Sequence, residues 1–138
     1  MLVFGGSTKT QGMSSDIFVL DCTAWSWRKL RPKGEAVPTP RGSACAAPID
    51  ASSAVIFGGA GLGGGGYEGG AGLTAFSETW RVRVDGDEAL WQLLDADDAP
   101  RPRVAASLSR LPSGRLLLHG GWDPRSKETF EMPSVLSL

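Results

Sequence analysis

A pair of adjacent glycines follows an apolar run three times in this chain, and this recurrence most constrains the fold. The three pairs are Gly5-Gly6, Gly58-Gly59 and Gly120-Gly121. The runs before them read Leu-Val-Phe, Val-Ile-Phe and Leu-Leu-Leu-His. One supersecondary unit copied along a chain is the signature of a repeat architecture, in which each copy packs on its neighbours.

Other landmarks recur in the same order around the glycine pairs. They are an acidic residue that opens a β-like run (Asp16, Glu78), a Trp-x-x-Leu motif (Trp27, Trp91) and a Pro-Arg step (Pro40-Arg41, Pro102-Arg103). The separation from Arg41 to Gly58 equals that from Arg103 to Gly120. A lone glycine pair carries little information, but this ordered set at repeated spacing identifies a single repeated unit.

The segments between the landmarks predict short β-strands. Trp80, Val82 and Val84 alternate with charged residues, which is the period-two pattern of a strand with one buried face. The first segment of each unit, residues 42–47 and 104–107, consists mostly of small residues. Small side chains suit an inner strand on which neighbouring sheets converge.

These landmarks resemble the kelch repeat, in which paired glycines end the second strand and Trp-x-x-Leu lies in the fourth. The resemblance implies an all-β fold, a kelch-type β-propeller segment of four-stranded antiparallel blades with ~50 residues per repeat. It also implies a structural role for the glycines and tryptophans of the repeat, which are Gly5, Gly6, Gly58, Gly59, Gly120, Gly121, Trp27, Trp80 and Trp91.

Counted in strands, the chain divides into three units. We expect a partial blade with strands two to four at 1–41, a complete blade with a glycine-rich loop (60–77) at 42–103, and a partial blade at 104–138. The third strand of the last unit has two candidates. Either Glu128-Thr129-Phe130 matches Glu78-Thr79-Trp80, or the strand is residues 134–138.

The number of units predicts a ring that this chain alone does not close, because propellers close with about four to eight blades. We expect the chain to be a segment of a longer propeller, since an open wedge exposes apolar faces and unpaired strand edges. Association of copies to complete the ring is the alternative.

Composition argues against several classes of partner. The net charge is −1 with both signs mixed, whereas nucleic-acid binding needs a basic face. Apolar runs reach about four residues against the ~20 of a membrane span, and the N-terminus lacks a signal-peptide pattern. We therefore expect a cytoplasmic protein, with a nuclear location as the alternative, that binds neither nucleic acid nor membrane.

Function is expected at one end of the blades. In an antiparallel meander, the loops from second to third strands (7–15, 60–77, 122–127) share a face with those that join blades (31–40, 95–102); we call it the long-loop face. The kelch resemblance implies that this face binds a partner protein. The candidate contact residues are Lys9, Arg41, Tyr67, Arg101, Trp122, Asp123 and Arg125. For Arg41 and its counterpart Arg103, a structural hydrogen bond is the competing interpretation.

The sequence predicts a non-enzymatic protein without a cofactor, and two alternatives stay open. One is a segment of a galactose-oxidase-like or other small-ligand propeller enzyme, whose resemblance implies a copper site of two tyrosines and two histidines. This chain has one of each, Tyr67 and His119. His119 takes the position of Phe4 and Phe57, so we expect it in the core. The other alternative is a purely structural domain.

Overall fold

The computed structural model describes residues 1–10, 12–62, 72–94 and 99–137. This part of the chain folds into strands, turns and loops, and it contains no helix of the length and hydrophobicity needed to cross a membrane. The strands are short, as the spacing of turn residues predicts. The all-β prediction is confirmed.

Fifteen strands occur in the described ranges. They are β1 (Leu2–Phe4), β2 (Ser7–Thr8), β3 (Gly12–Met13), β4 (Ile17–Asp21), β5 (Ser26–Lys29), β6 (Arg31–Lys33), β7 (Cys45–Pro48), β8 (Ser53–Phe57), β9 (Ala60–Leu62), β10 (Leu73–Ala75), β11 (Thr79–Asp85), β12 (Glu88–Leu94), β13 (Val104–Arg110), β14 (Leu116–Trp122) and β15 (Ser134–Leu136).

Three sheets form the body of the molecule. The central sheet has the order β6-β12-β11-β8-β7, and the last four of these strands form an antiparallel meander that we call blade 2. Blade 1 has the order β1-β4-β5, and blade 3 has the order β13-β14-β15. The antiparallel blades are those the repeat predicts.

Two hydrophobic cores lie on opposite faces of blade 2, because alternate side chains of a strand point to opposite faces. Val55 and Phe57 belong to the cluster shared with blade 3, which includes Leu116 and Leu118. Ile56, between them, belongs to the cluster shared with blade 1. Blade 2 therefore contributes side chains to both hydrophobic cores.

Strand β11 confirms the predicted period-two pattern. Trp80 and Val82 are buried in the core between blades 1 and 2. Arg81 and Arg83, on the other face, are exposed. The hydrophobic pattern therefore fixes the register of this strand, since a slip of one residue would exchange the two faces.

The glycine pair links each blade to the next one. The N–H of Gly59 donates a hydrogen bond to the carbonyl of Arg103 (3.0 Å), and that of Gly6 donates to the carbonyl of Arg41 (2.8 Å). Gly58 has a φ of +68°, and a Cβ atom there would lie 2.6 Å from the Arg103 carbonyl oxygen. Only glycine accommodates both the left-handed backbone and this close approach.

The connection between blades 1 and 2 departs from the expected loop. Within residues 31–40, strand β6 pairs in parallel with β12. The N–H of Arg31 donates to the carbonyl of Asp87 (2.8 Å), and Lys33 forms an ion pair with Glu88 (3.1 Å). The connection thus adds an edge strand to blade 2. The long loops also contain two short hairpins, β2-β3 and β9-β10.

The third strand of blade 3 is β15, so the match of Glu128-Thr129-Phe130 with Glu78-Thr79-Trp80 is wrong. Phe130 donates its N–H to the carbonyl of Gly121 (3.0 Å), as Phe76 does to that of Gly59 (2.9 Å). Strand β15 then pairs with β14 as β11 pairs with β8. Phe130 is therefore the counterpart of Phe76, and Met132, two residues later, takes the position of Glu78.

Candidate interaction surface

The side chain of Arg41 is fully enclosed, with 0% of it exposed. Its Nη1 donates to the carbonyl of Gly58 (3.2 Å) and its Nε to the carbonyl of Thr39 (3.0 Å). Its Nη2 donates to the carboxylate of Glu78 (2.6 Å) and to the hydroxyl of Thr39 (3.0 Å). The ring of Phe76 lies 4.2 Å from the guanidinium carbon.

These contacts remove Arg41 from the candidate contact residues. A buried cation whose donors are taken up inside its own blade has no face left for a partner protein. The competing interpretation, a structural hydrogen bond, describes its position. Arg41 attaches the first strand of blade 2 to the glycine pair of the second and to the acidic residue before the third.

The Oε2 atom of Glu78 accepts hydrogen bonds from two side chains. The indole N–H of Trp80 donates to it (2.9 Å), in addition to Arg41. Burial raises the pKa of Glu78, but the hydrogen bonds from Trp80 and Arg41 and the charge of Arg41 outweigh burial. The net result is a lowered pKa, and the carboxylate is ionised at neutral pH.

Arg103 occupies the matching position in blade 3 and is also buried, with 4% exposed. Its Nε donates to the carbonyl of Arg101 (3.1 Å) and its Nη1 to the carbonyl of Gly120 (3.4 Å). Phe130 lies 4.0 Å from its guanidinium carbon. Among the described residues, no carboxylate forms an ion pair with it. Burial lowers the pKa of Arg103, and the charge of Arg101 adds to this effect.

Arg101 is exposed and ties two loops of the long-loop face together. Its two Nη atoms donate to the two carboxylate oxygens of Glu128, each at 2.6 Å. Its guanidinium carbon lies 5.1 Å from the Phe130 ring. The hydrogen bonds that Arg101 donates to Glu128, together with the charge of that carboxylate, raise the pKa of Arg101. A bidentate pair of this geometry gives a fixed orientation to the guanidinium.

Asp123 shapes the loop that follows β14. Its Oδ1 accepts the backbone N–H of Arg125 (2.8 Å), and its Oδ2 accepts the hydroxyl of Ser126 (3.0 Å). The hydrogen bond from the Arg125 backbone is the main reason for the lowered pKa of Asp123. The side chain of Arg125 is itself exposed. Asp123 therefore orders the loop that presents Arg125.

Trp122 lies at the base of the same loop, and 37% of it is exposed. The ammonium group of Lys127 lies 5.2 Å from the centre of its ring. Arg101, Trp122, Asp123 and Arg125 are thus all associated with blade 3. Lys9 is exposed in the β2-β3 hairpin of blade 1, and Tyr67 lies outside the described residues.

His119 is exposed, so the expectation that it lies in the core is wrong. Leu116 and Leu118 point from β14 towards blade 2 and are buried. His119 has the same register as Phe57, but it lies on the face of blade 3 opposite to Leu118, and no described blade covers that face. In the described ranges, no group of three or more histidine, cysteine, aspartate or glutamate side chains is arranged to hold a metal ion.

The sequence did not reveal that Glu128 pairs with Arg101 or that Phe130 lies against Arg103. It also did not reveal that Met132 takes the position of Glu78. The spacing from the glycine pair to the phenylalanine differs between the units, being 17 residues from Gly59 to Phe76 and 9 from Gly121 to Phe130. Differences in loop length conceal the correspondence. The correspondence can be recognised from a phenylalanine that stands two residues before the repeat position of Glu78, as Phe76 does in blade 2 and Phe130 in blade 3.

Comparison with solved structures supports this architecture. YjhT superposes with a TM-score of 0.70 and 16% identity, over 99% of this chain and 39% of that one. This likeness shows the fold, which is a segment of a β-propeller. A fungal alcohol oxidase of the AA5 family in complex with copper has a TM-score of 0.46, which carries no argument about activity.

No family model matches the chain, but sequence comparison finds relatives among known proteins. Adagio-like protein 1 of Oryza sativa subsp. japonica is 29% identical over 123 residues, 88% of this chain. Dynein regulatory complex subunit 7 of Chlamydomonas reinhardtii is 44% identical over 64 residues, 46% of this chain. The chain spans 18% and 5% of these relatives. Together with the repeats and the propeller fold, these relatives support a kelch-repeat family for this chain.

Proposed function

We propose that the protein is a kelch-repeat interaction module that binds a partner protein through its long-loop face. One observation carries the proposal. On blade 3, this face presents Trp122 at the end of β14, and it presents Arg101 and Arg125 from segments held by hydrogen bonds. Arginine and tryptophan are favoured anchors of protein interfaces.

The hydrogen bonds that fix the conformation of these loops support a binding role. Asp123 fixes the turn before Arg125, and Glu128 fixes the guanidinium of Arg101. An interface built from side chains that are already oriented loses less conformational entropy when the partner binds. The opposite end of blade 3 offers a short turn between β13 and β14.

The relatives are consistent with a module inside larger proteins. The chain spans 18% of Adagio-like protein 1, and another relative is by its name a subunit of the dynein regulatory complex. Both facts support a role as an adaptor or scaffold segment. A cytoplasmic location, with a nuclear one as the alternative, is part of this proposal.

Two exposed arginines of blade 3 test the proposal. Arg125 lies on the long-loop face, and Arg115 lies at the opposite end, in the turn before β14. Capture from cells that express the protein, quantified by mass spectrometry, first identifies a partner. The purified pair is then compared for the wild type, Arg125→Glu and Arg115→Glu.

We expect Arg125→Glu to weaken binding about tenfold or more, as anchor residues do, and Arg115→Glu to leave it unchanged. Both variants should retain the thermal midpoint of the wild type, because both side chains are exposed. Equal binding by all three proteins, or equal loss in both variants, would contradict the proposed surface. A purely structural domain would give no partner that responds to either charge reversal.

A further inference from the structure

Arg41 and Arg103 have matching surroundings except for two groups that only Arg41 contacts, the hydroxyl of Thr39 and the carboxylate of Glu78. Each donates Nε to the carbonyl two residues earlier, donates Nη1 to the first glycine of the pair, and lies against a phenylalanine ring. Arg41 also binds the carboxylate of Glu78 at 2.6 Å. In blade 3, the position of Glu78 belongs to Met132, an exposed thioether side chain.

Among the described residues, Arg103 therefore lacks both a carboxylate and the counterpart of the Thr39 hydroxyl, whose position is taken by a second cation, Arg101. A buried guanidinium that has left water without a counter-ion is energetically costly, and a carboxylate at hydrogen-bond distance offsets that cost. Blade 2 provides the geometry of such a carboxylate within the same molecule. A charge-assisted bond to an incoming carboxylate would reproduce it in blade 3.

Arg103 lines an open depression on the long-loop face. The depression is bounded by the inter-blade segment before β13 and by the segment before β15, with Arg101, Phe130 and Pro133 in its wall. Met132, which takes the position of Glu78, also lines the depression. The acidic residues of its wall are Glu128, which is paired with Arg101, and Glu131.

We propose that this depression is a carboxylate-binding site that takes an aspartate or glutamate side chain of the partner protein, seated on Arg103 as Glu78 is seated on Arg41. The proposal rests on the proposed function, since it names the chemistry that the long-loop face recognises. A single carboxylate fits better than a phosphate, because Glu128 and Glu131 in the wall repel a doubly charged group.

The test follows the Nε–Hε resonance of Arg103 in ¹⁵N-labelled full-length protein by nuclear magnetic resonance. The probes are the peptide acetyl-Gly-Gly-Glu-Gly-Gly-amide and its counterpart with glutamine in place of glutamate. The glutamate peptide should cause a saturable shift of this resonance, and the glutamine peptide should not. An absent shift, or equal shifts with both peptides, would overturn the site.

Matched variants at Met132 separate occupancy of the site from damage to the fold. Met132→Glu restores the carboxylate that blade 2 has, so it should weaken binding of the glutamate peptide about tenfold or more. Met132→Gln has the same size without the charge and should bind as the wild type does. If Met132→Glu binds the peptide with wild-type affinity, the peptide lies elsewhere and the proposal is wrong.

A carboxylate of this chain is the rival occupant. Asp95, Asp97 and Asp98 precede the depression in sequence and lie outside the described residues. If one of them fills the site, the wild type will not bind the peptide, and the triple change to asparagine will create binding. That result would overturn a site for a partner's carboxylate.

The outcome for this site is separable from the outcome for the proposed function. If the peptide fails to bind but Arg125→Glu still weakens the partner, the long-loop face is the interface and the carboxylate site is wrong. If the glutamate peptide binds Arg103 but no partner responds to Arg125→Glu or Met132→Glu, the proposed function fails while the anion site remains.

Discussion

Trp27 and Trp91 hold the same position in consecutive repeats, yet their surroundings differ. Trp91 is 6% exposed, with its ring 5.0 Å from that of Phe4 in blade 1 and 6.2 Å from that of Trp80. Trp27 is 56% exposed on the outer face of blade 1, where no described blade covers it. The repeat motif orients the indole, and the neighbouring blade buries it.

The outer faces of blades 1 and 3 both expose apolar side chains. Val3 and Trp27 are exposed on blade 1, and Val135 is exposed on blade 3. The faces turned towards blade 2 are buried in the two hydrophobic cores. Apolar surface removed from water contributes about 25 cal/mol per Å², so equivalent residues stabilise the protein according to which face they occupy.

The largest expected effect comes from truncating the two tryptophans. Trp91→Ala removes a buried indole from the core between blades and should lower the free energy of unfolding by about 3–5 kcal/mol. Trp27→Ala removes a half-exposed indole and should cost about 1 kcal/mol. Urea denaturation followed by circular dichroism measures both. Equal losses would mean that burial between blades is not what separates the two positions.

The paired and unpaired arginines should differ by a smaller amount. Arg41→Met removes hydrogen bonds to two carbonyls and leaves Glu78 without its cation, at a cost of about 2–3 kcal/mol. Arg103→Met removes a buried charge that has no carboxylate partner among the described residues, so the cost should be about 1 kcal/mol. The same denaturation measurement compares them. A larger loss of unfolding free energy for Arg103→Met than for Arg41→Met would show that the ion pair with Glu78 is not what distinguishes the two arginines.

The smallest expected effect is a pH dependence specific to blade 2. The folded-state pKa of Glu78 is lowered, so its ionisation contributes stability above the ordinary value of 4.5 and loses that contribution as pH falls through the folded value. Glu78→Gln should therefore lose stability at neutral pH and approach the wild type in acid. Thermal midpoints from pH 7 down to pH 3 measure the convergence, and parallel curves would exclude this role for Glu78.

The sequence predicted the parts of the fold that depend on local pattern. The alternation around Trp80 and Val82 gave the buried face of β11. The first two glycine pairs marked the ends of β1 and β8, whereas β14 continues through the third pair to Trp122. These features follow from the period of a strand and from the backbone freedom of glycine. Features that depend on residues close together in the sequence could therefore be predicted.

The remaining features depend on which groups meet in space. The two interpretations of Arg41 could not be separated by sequence, because Glu78 and Phe76 are distant along the chain. The exposure of His119 depends on which face of blade 3 a neighbour covers. The position of β15 was hidden by the different lengths of the loops before Phe76 and Phe130.

The stacking of blades in the order of the repeats is the central claim, and nuclear Overhauser effects between aromatic rings test it most directly. The Trp80–Trp91 pair lies within blade 2, whereas the Phe4–Trp91 pair, at 5.0 Å, joins blades 1 and 2. We expect cross-peaks for both pairs and none between Trp27 and Trp91. A Trp80–Trp91 cross-peak without a Phe4–Trp91 cross-peak would show a folded blade that does not stack, and would contradict the propeller.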